Sequence, residues 1–136
     1  MAAWIDNPLL DGRFLFLGVL GEGGMGRVYR AFDRVEERTV ALKVPFDSPG
    51  AGPPHPLTVE FETWFRLRHP NIVRVYELSR ALEGPLRPGT PYMVLESFPG
   101  RPAHQALVPG RVDPAYLETL ARGVLQALEH VHLAGV

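Results

Sequence analysis

Apolar and polar positions set out the chain as a run of strands followed by helices. Phe14-Leu15-Phe16-Leu17-Gly18-Val19-Leu20 is a short apolar segment that reads as a first strand, running from about Arg13 into a glycine-rich stretch. The second strand leaves those glycines and continues to about Asp33, with Val28, Arg30 and Phe32 on one face and Tyr29 and Ala31 on the other. After a charged turn over Arg34 to Arg38, Thr39-Val40-Ala41-Leu42-Lys43-Val44 predicts a third strand stopped by Pro45. Ile72 to Leu78 alternates as a fourth, and Tyr92 to Glu96 forms a fifth. The period lengthens to three and four residues in two places. Leu57 to Arg68 predicts a short helix that Thr58 can cap, with Glu60 and Glu62 near its positive end and Val59, Thr63 and Leu67 toward one face. Phe61 and Phe65 make an i, i+4 pair beside that face, and His69-Pro70-Asn71 ends the helix. Asp113-Pro114 opens a second, clearer helix, along which Leu117, Leu120, Ala121, Val124, Leu125, Leu128 and Val131 form an apolar stripe before Gly135. The segments 47–56 and 83–91 are rich in proline and glycine and read as surface loops, and Met1 to Asp11 as a loose lead-in with turn signals at Asn7-Pro8 and Asp11-Gly12.

The stretch Leu20-Gly21-Glu22-Gly23-Gly24-Met25-Gly26-Arg27-Val28 joins the first two strands. Gly21, Gly23 and Gly26 have the G-x-G-x-x-G spacing, which dinucleotide-binding folds also use. Those folds need a helix opening at the last glycine and an acidic residue ending the next strand. Here a strand follows, and Lys43 stands in the next one, so the glycines cap a hairpin. Glycine lets the backbone approach a ligand closely and adopts positive φ at little cost.

Composition narrows the picture in a few places. The 136 residues predict one domain, and a net charge of −1 gives no electrostatic footprint for nucleic acid or an anionic membrane. No apolar run approaches the length of a bilayer span, no export signal opens the chain, and the absence of cysteine suits the cytoplasm. Lys43 is the only lysine among 14 basic residues, which fits either a place where a compact ammonium is wanted or a codon bias toward arginine with one chance survivor. His69, His130 and His132 lack a second pair at ligand spacing and read as structural or solvated, so no metal site is predicted.

Taken together, these segments resemble the protein kinases, especially the eukaryotic-like serine/threonine kinases of bacteria. Gly21 to Tyr29 resembles the family's glycine-rich loop, in the Gly-Gly-Met-Gly form typical of the bacterial branch, and Val40-Ala41-Leu42-Lys43 its third-strand motif. Glu60 lies nine residues before His69, where the family places a helix glutamate, and His69-Pro70-Asn71-Ile72-Val73 matches its entry to the fourth strand. Pro91 to Glu96 followed by Gly100 is similar to the fifth strand and hinge, and Ala121 to Val136 to the helix before the catalytic loop. The resemblance covers about residues 13–136 and implies an α+β fold. Residues 13–96 would be a kinase N-lobe of five antiparallel strands and one helix, after a lead-in over 1–12. Residues 97–100 would be the hinge, and 101–136 the first two helices of the C-lobe.

The same resemblance implies ATP as cofactor. The backbone of Gly21, Glu22, Gly23, Gly24, Met25 and Gly26 would cover the phosphates. Lys43 would pair with them and with Glu60, with Glu62 as the alternative if the helix register differs. Leu20, Val28 and Ala41 would roof an adenine slot with Leu95 at its back, and the carbonyl of Glu96 and the N–H of Phe98 would read the adenine edge. Trp64 departs from the pattern, because the family usually carries a medium aliphatic one turn after this glutamate. The His-Arg-Asp and Asp-Phe-Gly segments, which supply the base and the Mg2+ ligands, are absent from these residues, so the chain alone is expected to lack turnover. For the parent, the implied activity is γ-phosphoryl transfer to protein hydroxyls, with a pseudokinase-like regulatory nucleotide-binding module as the alternative. With no second-lobe partners, the Leu117–Val131 stripe is expected to drive self-association.

Overall fold

The structure is a computed structural model that describes residues 6, 8–46 and 55–136. Most of the predicted lead-in and loop residues 47–54 lie outside the described residues. In chain order the elements are β1 (Leu9–Leu10), β2 (Phe14–Gly23), β3 (Gly26–Asp33), β4 (Arg38–Pro45), α1 (Pro56–Phe65), β5 (Val75–Arg80), β6 (Pro91–Glu96), α2 (Ala103–Ala106) and α3 (Pro114–Leu133). They fall into two compact units, one ending at Arg66 and resuming over Arg74–Ser97, the other made of Leu67–Val73 and Phe98–Val136.

The first unit is a single antiparallel sheet in the order β1-β2-β3-β4-β6-β5, with α1. The two-residue pleat sorts its apolar side chains into two layers. Phe14, Phe16, Tyr29, Ala31, Val40, Leu42, Val44, Tyr92 and Val94 pack on one face with Leu10 and Ala81. Ala41, Val75, Met93 and Leu95 pack on the other with Leu57 of α1, and Phe61 and Trp64 lie partly buried against them. Burying a Leu or Phe side chain in such a layer contributes about 1.5–3 kcal/mol, so the sheet holds together through both faces.

The sheet has six strands rather than the five expected. The extra strand comes from the lead-in: Asp11 (φ 51°) and Gly12 (φ 64°) turn the chain so that Leu9 and Leu10 pair with Leu15 and Phe14. That turn is anchored from a distance. The Asp11 carboxylate accepts from the N–H groups of Leu82 (2.7 Å) and Glu83 (3.0 Å), and from the Tyr92 hydroxyl (2.8 Å). Burial, with the hydrogen bond to Asp11 adding to it, pushes the Tyr92 phenol up to about 12. Gly84 closes the same junction at φ +110°, where a Cβ would run into the carbonyl of Leu9.

Two other boundaries differ from expectation. Helix α1 starts at Pro56, one residue early, and ends at Phe65. Its cap is His55, whose Nδ1 accepts from Leu57 N–H at 3.1 Å, and not Thr58. The earlier start moves Glu60 and Glu62 beyond the first turn. Leu57, Phe61 and Trp64 face the sheet, while Val59, placed with Thr63 and Leu67 toward one face, is 51% exposed. Strand β5 begins at Val75 rather than Ile72, because the N–H of Ile72 closes a turn onto His69 O (3.1 Å).

The second unit is built on α3. Asp113 caps it as expected, accepting from Ala115 N–H at 3.0 Å, Pro114 occupies its first turn, and Gly135 follows it at φ +79°. Asn71 donates to Gly123 O (3.1 Å) and Gln126 Oε1 (3.4 Å), and the His69 and His130 rings lie 5.3 Å apart. Among the described residues no helix is long and apolar enough to cross a membrane.

Candidate active site

Strands β2 and β3 form the predicted hairpin, closed by a two-residue turn at Gly24-Met25, with Gly23 opposite Gly26, Glu22 opposite Arg27 and Gly21 opposite Val28. Arg27 Nε donates to Glu22 Oε2 at 2.7 Å across its stem, and Phe46 N–H donates to Met25 O at 3.2 Å, tying the tip to the end of β4. None of the hairpin glycines adopts positive φ, so the need for them is spatial and not conformational. Gly21, Gly23 and Gly24 have open space where a Cβ would stand, leaving the backbone bare for close approach. Gly26 is different. A Cβ there would overlap the carbonyl of Val44 and come within 2.8 Å of Pro45 Cα, both backbone. Gly26→Ala is therefore expected to prise β3 from the end of β4, costing about 1–3 kcal/mol, where Gly24→Ala costs little. Thermal melting of the two variants checks this.

Lys43 stands in the middle of the sheet, opposite Val28 of β3 and Met93 of β6. Directly opposed residues share a face, so the ammonium emerges on the side that carries α1. There Lys43 Nζ donates to Glu60 Oε1, and the two side chains are 21% and 27% exposed. Glu60 takes the ammonium and Glu62 is exposed to solvent. A cavity of about 140 Å³ opens beside the pair, walled by the Gly24-Met25 turn, Pro45, Phe46, His55, Pro56 and Leu57. A cation held by one carboxylate, under a strip of bare backbone, is suited to receive an anionic group.

The apolar residues of the predicted slot divide. Val28, Ala41 and Leu95 come together on the Lys43 face, with Ala41 directly opposite Leu95. Leu20 sits at an irregularity in the β2–β3 register, is 52% exposed and stays outside that cluster. Glu96 is held at the end of β6, its N–H donating to Arg74 O (2.8 Å) and its carboxylate accepting from Arg74 N (3.1 Å). Phe98 is 56% exposed and belongs to the second unit.

Several neighbours escaped the sequence reading. His55 and Phe46 line the cavity, and Met93, fully buried, pairs with Lys43 across β4 and β6. Trp64 was noted only as a departure, yet its ring centroid is 5.7 Å from Lys43 Nζ. The spacing of four residues from Glu60 was the available signal.

This flap, the lysine–glutamate pair beneath it and the sheet that carries both are features of protein kinases. The family model for the protein kinase domain matches residues 14–136, and the chain belongs to that family. Among individual proteins, it is similar to the DNA damage-responsive serine/threonine-protein kinase RqkA of Deinococcus radiodurans. The two are 37% identical over 133 residues, which cover 96% of this chain and 19% of RqkA. It is likewise similar to the serine/threonine-protein kinase PknL of Mycobacterium tuberculosis, 33% identical over 137 residues covering 97% of this chain and 32% of PknL. The chain thus spans a third or less of these relatives. The fold is shared with the PknI kinase domain of Mycobacterium tuberculosis (TM-score 0.69, 22% identity, 96% of this chain and 51% of that one). It is also shared with residues 1–466 of Rad53 in complex with AMP-PNP (TM-score 0.74, 26% identity, 90% and 32%).

Proposed function

We propose that this chain is the nucleotide-gripping part of a kinase that transfers the γ-phosphoryl group of ATP to serine or threonine hydroxyls of protein substrates. The observation that carries the reading is the Lys43–Glu60 pair beneath the Gly24-Met25 turn. The kinship with RqkA and PknL supports the hydroxyl class, and the AMP-PNP bound to Rad53 supports the nucleotide. ATP, when bound, supplies the phosphoryl group. Lys43 neutralises phosphate charge, Glu60 fixes the direction of that ammonium, and the Gly21 to Gly26 hairpin, whose backbone is bare at Gly21, Gly23 and Gly24, offers amide donors to the same oxygens. Val28, Ala41 and Leu95 supply apolar surface for the base, with the backbone of Glu96 and Phe98 reading its edge.

The segments that the resemblance implies as the source of Mg2+ ligands are not among these residues. No group of three His, Asp or Glu side chains among those described could hold an ion, and no step here uses one. In the parent, residues 13–96 form the first lobe after a lead-in over 1–12, 97–100 the hinge, and 101–136 the start of the second lobe. The use of ATP favours a cytoplasmic site of action.

Calorimetric titration of the 136-residue chain with AMP-PNP tests the reading. Saturable binding that depends on Lys43 is expected, with no phosphotransfer by the chain alone. Absence of binding by a folded chain rejects it.

The outward stripe of α3 has a consequence of its own. Leu125 and Leu128 are exposed along a shallow concavity of about 870 Å³, and Leu117 and Val124 are exposed on the same helix. The PknI kinase domain is about twice the length matched here. We assign the stripe to packing against second-lobe residues of the parent, and expect the isolated chain to cover it with a second copy. Light scattering should give a dimer or larger species, and a monodisperse monomer at high concentration contradicts this.

A further inference from the structure

We propose that Trp64 is a positioning residue for Lys43: its indole face, together with the Glu60 carboxylate, holds the ammonium in place on the sheet. The proposal rests on the reading of Lys43 as a phosphate partner only for its effect on nucleotide affinity.

Glu60 and Trp64 are four residues apart on α1 and so lie on one face of the helix, the face that also packs Leu57 and Phe61 onto the sheet. The Trp64 ring is itself partly buried in that layer, which limits its freedom. Its centroid lies 5.7 Å from Lys43 Nζ, inside the range in which an aromatic face attracts a cation. Lys43 is only 21% exposed, so water screens the attraction weakly.

The two partners act on different properties of the ammonium. A carboxylate takes one of its three N–H donors and competes for them with incoming phosphate oxygens. An aromatic face attracts the charge as a whole and consumes no donor. Lys43 can therefore turn its N–H groups toward phosphate while its charge stays tethered to the wall. A medium aliphatic at position 64 would pack against the sheet but supply no such tether.

The single lysine makes the test direct. In the full chain labelled with 13Cε-lysine, one set of signals reports Lys43, and a nearby indole shifts its ε protons by ring current. Trp64→Leu and Trp64→Phe are compared with the unmodified chain, the methyl signal of the buried Met93 showing that each is folded. Expected are ring-shifted ε protons in the unmodified chain, a signal near the free-lysine position in Trp64→Leu, and an intermediate shift in Trp64→Phe. AMP-PNP affinity should fall about threefold in Trp64→Leu and recover most of the loss in Trp64→Phe. Phenylalanine also fills more of the space than leucine, so recovery of affinity alone does not separate a tether from packing; the ring-current shift of the ε protons, which packing by an aliphatic side chain cannot produce, does. Unshifted ε protons in the unmodified chain, or equal losses of affinity in the two folded variants, overturn the proposal. If AMP-PNP fails to bind even the unmodified chain, the proposed function falls, while the ring-current comparison still decides whether Trp64 holds Lys43.

Discussion

Methionine at position 43 is expected to weaken AMP-PNP binding by at least about 100-fold, the largest effect of any single change in the site. Two terms act in the same direction. The variant loses charge-assisted hydrogen bonds from the ammonium to phosphate, each contributing about 1.5–3 kcal/mol. It also leaves the Glu60 carboxylate, only 27% exposed, without its cation and facing the incoming phosphates. The fold should survive, because methionine replaces the stem of the lysine in length and its neighbours Val28 and Met93 are apolar. Thermal melting should therefore stay close to the unmodified chain while calorimetric binding disappears. Lys43→Arg keeps the charge but swaps a compact ammonium for a planar fork, and should fall between the two. Binding of Lys43→Met within threefold of the unmodified chain would reject the assignment of this lysine to the phosphates.

The parts of the fold that were legible in the sequence are those governed by neighbours a few residues away. Glycines between an apolar run and an alternating segment announce a hairpin, and Asp113-Pro114 ahead of a three-and-four stripe announces a capped helix; both are present. The Lys43–Glu60 meeting was reached through family likeness, since nothing local links residues 17 apart. Helix α1 shows where local pattern fails. It is ten residues long with apolar side chains nearly all round, so its period cannot choose between the Val59 face and the Leu57-Phe61-Trp64 face. The sheet chooses, because Ala41, Val75 and Met93 offer the surface that Leu57 fills. The long-range polar ties gave no signal at all. Asp11 reads as a turn residue, and its hold on Leu82, Glu83 and Tyr92, 71 to 81 residues away, exists only once the strands are stacked. Such groups are read from the structure because a carboxylate is locally compatible with a solvated turn and with a partly buried clamp alike.

The largest stability effect should come from a residue that no motif marks. Asp33 ends β3 with its side chain fully buried. Its carboxylate accepts from Arg13 Nε (2.8 Å) and Nη2 (2.7 Å), and from the turn N–H groups of Val35 (3.0 Å) and Glu36 (3.2 Å). Arg13 reaches on to Glu77 at 3.0 Å, so one guanidinium joins β3 to β5. Asn at position 33 keeps the volume but must aim its NH2 either at Arg13 Nη2 or at donors on the other side, and a donor then faces a donor in both orientations. Asp33→Asn is expected to cost about 2–3 kcal/mol at pH 7, below the range for a wholly buried pair because Arg13 is 26% exposed. For a unit of this size that lowers the melting temperature by roughly 10 °C or more. The hydrogen bonds from Arg13 hold the Asp33 carboxyl below its ordinary value, with the turn N–H groups adding to them and burial opposing. A lowered folded pKa means stability that is fully present above the unfolded carboxyl value, about 4, and lost as pH falls through the folded one. Arg13, raised by the same contacts, stays cationic throughout that range. Denaturation of both proteins across pH 2–7 should thus show a constant gap down to about pH 4 that narrows on further acidification. A gap that persists unchanged to pH 2, or none at pH 7, would mean that the charge on Asp33 does not brace this sheet.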